Sequence, residues 1–315
     1  MDCVETMFYV SNEQNERFVP WHGLGTAVED APTSKDAIIM AGLDWKVESR
    51  PIFDVDGKEI EGFKANTRDK DNFTLGIVSD KYKIVQNAEA FEFTDSLLEE
   101  DVRYETAGSL KNGRSVWLLA KMPTMKILDD DVEPYLCFAN SHDGTGAIKV
   151  CMTNTRVVCN NTLNLALSTA KRCWSAKHMG DIKSKIREAQ HTLKLASEYN
   201  NALSEEAEKL ASIKVSDSEL EVIFDAMFPL DYENDTQRKI TNINELKAGL
   251  LKCYEMPDIS MYRGTAWGVI NAVADYTCHA APLRLTSNYQ ENNWGKIMNG
   301  HPLLDKFYNA LKIAC

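Results

Sequence analysis

Eight cationic residues lie between Lys149 and Arg187: Lys149, Arg156, Lys171, Arg172, Lys177, Lys183, Lys185 and Arg187. Only Asp181 opposes them, so the stretch carries +7 in a chain of net charge −12, and the remainder sums to −19. Clustered lysine and arginine neutralise phosphates. Trp174, set among them, offers a ring on which a base can stack. Asn160, Asn161, Thr162 and Asn164 add neutral donors. The chemistry written here is anion recognition. Three ligands suit it: single-stranded nucleic acid, an acidic surface within the chain or on a neighbouring subunit, or a small phosphate compound.

Catalytic chemistry is harder to find. Histidines 22, 142, 178, 191, 279 and 301 lie far apart, with no H-x-x-x-H pair. There is no G-x-S-x-G and no Walker loop. Cys278 and His279 are adjacent, which on a helix points them about 100° apart and separates thiolate from imidazole. His22, in PWHGLGT, reads as a structural histidine. Asp129, Asp130, Asp131 and Glu133 form an acidic run that reads as a solvated turn rather than a cation site. The eight cysteines contain no C-x-x-C pair, so no zinc site is assigned. No catalytic residue, metal site or cofactor follows. The N-terminus lacks a basic region followed by an apolar run, so no secretory signal is expected. No apolar stretch is long enough for a bilayer. These features lead to a cytoplasmic protein with buried, reduced thiols.

The elements that must position the basic stretch divide the chain into two parts, an α+β fold. Residues 1–160 read as strand-rich, with one inserted helix. WKVESRPIFDV and KEIEGFKANT flank Asp56-Gly57, and VRYETAGSL and RSVWLLAKM flank Asn112-Gly113; both are hairpin signals. NFTLGIVS adds a strand. VEPYLCFANSH and AIKVCMTNTRVV form a third hairpin. Asn87 is placed to cap the helix AEAFEFTDSLLEE. Residues 161–315 read as helical and packed on the first part. Asn160 or Asn161 caps a helix TLNLALSTA, whose N-terminus would face the anion, and KRCWSAKHMG is a loop. A long helix then carries a heptad seam: Ile182, Ile186, Ala189, Leu193, Ala196, Asn200, Leu203, Ala207 and Leu210. That seam serves either an intramolecular packing or a coiled coil between subunits. Further helices follow in SDSELEVIFDAMF, with Ser216 and Glu219 in capping-box spacing, NDTQRKITNINELKAGLLKCYEM, GTAWGVINAVADYTCHAA and HPLLDKFYNALKI.

Four stretches taken in order, PWHGLGT, YKIVQNAEAFEF, TNTRVVCNNTLNLAL and RGTAWGVINAVADY, resemble the phage/plasmid-like protein family. That family is an uncharacterised domain of bacteriophages, prophages and conjugative plasmids. The resemblance covers nearly the whole chain and implies a bacterial host cytoplasm. The order of strands, helix and meander with a basic tail is also similar, by analogy only, to Rad52-type single-strand annealing proteins.

Two functions follow as expectations. The first is a non-enzymatic DNA-metabolism protein that binds single-stranded DNA and promotes annealing or recombination. In it Lys149, Arg156, Asn160, Asn161, Lys171, Arg172, Trp174, Lys177, Lys183, Lys185 and Arg187 form the track, and a homo-oligomer extends it. The second is an acidic accessory or counter-defence factor that binds a host or phage protein.

Overall fold

Asp-Gly and Asn-Gly turn the chain where the sequence places them. In the computed structural model Gly57 sits at φ 79° between β3 (Val47–Phe53) and β4 (Glu59–Arg68). Asn112 and Gly113, at φ 58° and 82°, join β6 (Arg103–Leu110) to β7 (Ser115–Lys121). Positive φ at both residues suits the twist of paired strands. The structure describes residues 7–10, 26–28, 33–92, 94–95, 103–156, 164–167, 169–181, 184–185, 188, 192–279, 295 and 299–313.

The strands form two sheets. In the smaller, β4 lies between β3 and β5 (Thr74–Ser79). The larger runs in the order β11-β10-β9-β7-β6-β1-β2, with β8 (Met125–Ile127) also on β9. Its remaining members are β1 (Met7–Val10), β2 (Thr26–Val28), β9 (Asp130–Ser141), β10 (Ile148–Arg156) and β11 (Cys173–Ala176). All its pairs are antiparallel except β1 with β2.

The helices are α1 (Ser34–Met40), α2 (Asn87–Phe91), α3 (Thr192–Ser212), α4 (Asp217–Met227), α5 (Gln237–Tyr254), α6 (Ala266–His279) and α7 (Pro302–Ile313). A 3-10 helix, Pro257–Tyr262, precedes α6. The large sheet is buried on both sides. Val116, Leu118, Leu136, Phe138 and Val150 share one core with Leu203, Trp267, Ile270 and Phe307 of the helices. Trp117, Leu119, Tyr135, Cys137 and Cys151 form a second cluster on the other face. A strand buried on both faces shows no clean alternation, and β9 is buried without a break from Val132 to Ser141.

Several expectations change. Among the described residues two helices, not one, lie among the early strands: α1 was missed, although Thr33 and Asp36 make a reciprocal capping box there. The cap of α2 is Gln86, and Asn87 is instead buried. Residues 164–167 are irregular rather than helical, so that part of the expected TLNLALSTA helix does not form. KRCWSAKHMG is not a loop throughout, since it contains β11, and strand structure therefore continues past residue 160. The seam residues Leu203, Ala207 and Leu210 are spent inside the chain's own core, which decides for intramolecular packing there. No helix among the described residues is long and apolar enough to cross a membrane.

Candidate nucleic-acid interface

β11 ends the large sheet among the described residues, and two of the eight basic residues flank it at the surface. Val150 pairs with Trp174, and Cys151 with Cys173, so β11 holds its place through two large or bonded side chains. Lys171 and Lys177 flank the strand and are exposed. Lys149, half-buried on β10, lies across from Ser175, and its Nζ donates to Asn299 Oδ1 at 3.3 Å. Arg156 ends β10 opposite Val132, but its side chain lies outside the described residues. Asn160, Asn161, Lys183 and Arg187 also lie outside them.

The other candidates are engaged by the protein itself. Arg172 is half-buried, and its Nη1 donates to the Met152 carbonyl at 2.6 Å. Burial lowers its pKa, while Tyr199, Cys137 and Asp305 act the other way. Trp174 is half-buried against the main core, which takes away part of the ring a base would use. Lys185 is half-buried, and its Nζ donates to the carbonyls of Lys177 at 3.3 Å and Met179 at 2.6 Å.

Beside Lys149 the surface opens into a cleft of about 260 Å³, whose polar lining includes Lys111, Ser115, Ser141, Thr145, Lys149 and Asn299. Asp143 also lines it. Burial raises the Asp143 carboxyl, but hydrogen bonds from Ser141 and Thr145, with Lys111 nearby, outweigh this and bring its pKa below the ordinary value. Its charge is thus largely consumed by its own turn. The hydroxyls of Ser141 and Thr145 donate to Asp143 and that of Ser115 to the Asn140 carbonyl, so the positive charge of the cleft comes from Lys111 and Lys149. Lys111 and Asn299 were not apparent from the sequence. Lys111 precedes the Asn-Gly turn and Asn299 is far along the chain, so only the fold brings them to Lys149.

The asparagines of TNTRVVCNNTLNLAL have a structural task among the described residues. Asn154 Nδ2 donates to Asn200 Oδ1 at 3.1 Å, tying β10 to α3. Asn164 accepts from the Asn154 backbone at 3.3 Å and donates to Thr153 Oγ1 at 3.1 Å. All four side chains are buried. Asn200 therefore sets register within the chain. Burying amides requires such partners.

A second interior network gathers two distant histidines. Tyr82 stacks on His178 with ring centroids 4.7 Å apart, and its hydroxyl donates to the Ser141 carbonyl at 2.5 Å. His142 Nε2 lies 2.8 Å from Asn87 Oδ1, and Asn87 Nδ2 donates to the Leu43 carbonyl. Burial holds the His142 imidazole down to about 3, with His178 adding to the effect and Asp143 opposing it. Burial lowers His178 as well.

The acidic run disperses rather than converging. Glu133 pairs with Lys121 at 2.7 Å, Asp131 lies 4.0 Å from Lys126, and Asp130 is buried. Among the described residues no group of three His, Cys, Asp or Glu side chains is placed to hold a metal. The reading of all cysteines as reduced is corrected at one pair: Cys151 and Cys173 form a disulfide between β10 and β11. Cys137 faces Cys151 on β9 and stays free and buried.

No curated protein and no solved structure matches the chain. A family model does match, over residues 74–295, from β5 through α6 and more than half of the chain. By that match the chain belongs to the DUF932 family, a domain of unknown function.

Proposed function

We propose that this protein binds single-stranded DNA along the β10–β11 edge and promotes strand annealing or recombination for a phage or plasmid. The observation that carries this reading is the company of Lys149, Lys171 and Lys177 at one sheet edge, beside the cleft that Lys111 lines, in a chain otherwise strongly acidic. A basic track on an acidic body confines a polyanion to one path. Annealing asks for phosphate neutralisation with base edges left open, and for no catalytic group. The resemblance of four sequence stretches to phage and plasmid proteins supplies the context, as does the looser analogy with Rad52-type annealing proteins. A homo-oligomer would lengthen the track. Arg172 serves the reading indirectly, by holding β11 in place through Met152.

The test is fluorescence anisotropy of labelled oligo(dT) across a salt series, with a Lys149→Ala/Lys171→Ala/Lys177→Ala variant beside wild type. Three phosphate contacts give a log–log salt slope of about −2, at roughly −0.7 per contact on single strands. The variant should bind about tenfold more weakly at low salt, with a flatter slope. Wild type that does not bind at low salt, or a variant with an unchanged slope, overturns the proposal.

A further inference from the structure

The acidic remainder of the chain has a shaped feature of its own. α4 and α5, bridged by Lys247 and Asp225, line a groove of about 550 Å³. α4 is fixed locally by its Ser216–Glu219 capping box, in which the Ser216 backbone N–H donates to Glu219 Oε2 at 2.8 Å. On α4, Asp217, Glu221 and Asp225 recur every four residues and make one rim. On the opposite side Lys247, Leu251 and Glu255 recur at the same spacing. Lys247 Nζ meets Asp225 Oδ1 at 2.6 Å and closes one end. At the other end Arg263 Nη2 donates to the Glu255 carbonyl at 2.8 Å. Asp217, Glu221 and Glu255 are exposed along the open part.

The groove has an apolar base. Leu220, Phe224 and Tyr254 are buried beneath it, and Phe224 packs edge-on against Phe307. Leu251 stands at the middle of its rim and is 44% exposed. The base of the groove is thus supported from within.

We propose that this groove docks a basic amphipathic helix of a partner protein. Charge complementarity argues for the occupant: four carboxylates face two cations, one of which is already paired with Asp225. Spacing argues for its shape. Lysines or arginines four residues apart on a helix meet Asp217 and Glu221 in turn, while its apolar stripe covers Leu251. The inference is independent of DNA binding, since none of these residues belongs to the β10–β11 edge.

A fluorescein-labelled Leu/Lys amphipathic peptide, added to the full chain, tests it. Saturable binding is expected, weakened about tenfold, or about 1.4 kcal/mol, by Glu221→Lys and by Leu251→Asp separately. Both residues are exposed, so melting temperatures close to wild type should accompany the loss. Glu61→Lys makes the same charge change on β4, outside the groove, and should leave binding unaltered. Equal weakening by Glu61→Lys would mean attraction to net charge only, and would overturn the proposal. So would indifference to Leu251→Asp. Self-association of the wild type that Glu221→Lys abolishes would assign the groove to a second copy instead.

Discussion

Replacing Gly268 by alanine should destabilise the protein by about 2–3 kcal/mol, although the site is helical. In an exposed helix the same change is favourable by about 1 kcal/mol. Here a Cβ would overlap the carbonyl oxygen of Tyr262 and lie 2.9 Å from its carbonyl carbon. The obstacle is backbone, so no side-chain rotation relieves it. Overpacking of this kind costs about 1–3 kcal/mol, at times more, and the helix-propensity gain offsets only part of it. The close approach is reinforced locally. Thr265 Oγ1 donates to the Tyr262 carbonyl at 2.6 Å and accepts from the Gly268 backbone N–H at 3.1 Å. Gly249→Ala is the informative comparison, because its Cβ would meet the half-buried ring of Tyr276, a side chain that can turn aside. Urea unfolding of both variants checks the argument. A Gly268→Ala midpoint equal to wild type would refute it.

Gly268 also shows what kind of information the sequence carried. RGTAWGVINAVADY reads easily as a helix, because its apolar content and its flanking Pro282 are local signals. That its second glycine marks a backbone crossing is not local, since the crossing depends on how the 3-10 helix Pro257–Tyr262 folds back. The hairpins at Gly57 and Gly113 were legible for the same reason that α6 was: turn chemistry is decided within four residues. α1 was equally legible through Thr33 and Asp36, and passing over that capping box was an error of reading rather than of information. β11 is different. Lys171, Arg172, Lys177 and a lone Trp174 give no alternation, and the strand exists because β10 offers it a partner.

The site divides along the same line. Charge is a property of composition, so the basic stretch was visible at once. Burial is a property of topology. Arg172 is spoken for by the Met152 carbonyl, twenty residues earlier, and Asp305 reaches the same neighbourhood by accepting from the Ala166 backbone at 3.0 Å. No spacing rule announces either contact. The asparagines illustrate a further point: Asn164 looked like a ligand donor because amides are donors anywhere, Asn200 had only a place on the heptad seam, and Asn154 had no assigned role. Their pairing inside the chain follows only when β10 and α3 are brought together.

Acid should destabilise the fold well before its carboxylates titrate, and His142 is the cause. The ring is buried, its Nε2 side is taken by Asn87, and its Nδ1 has no hydrogen-bond partner among the described residues. Protonation would put a charge on Nδ1 with Trp45 edge-on to the ring at 5.3 Å. The folded pKa is therefore depressed to about 3, against an ordinary 6.5. With the folded pKa below the unfolded one, the contribution is present in full above about pH 6.5 and is lost as pH falls toward 3. Within that window the unfolded chain holds one proton more than the folded one, and stability drops by about 1.4 kcal/mol per pH unit from this residue. His178, lowered in the same direction, adds to the slope. Asp143, whose folded pKa is also depressed, adds its loss only near and below the ordinary carboxylate pKa. Chemical unfolding at pH 7, 6 and 5 separates these contributions. A His142→Gln variant keeps an amide donor toward Asn87 but cannot titrate. Its stability should fall less steeply between pH 6 and 5, by about 1.4 kcal/mol per unit. Parallel pH curves for variant and wild type would show that His142 does not carry the acid sensitivity.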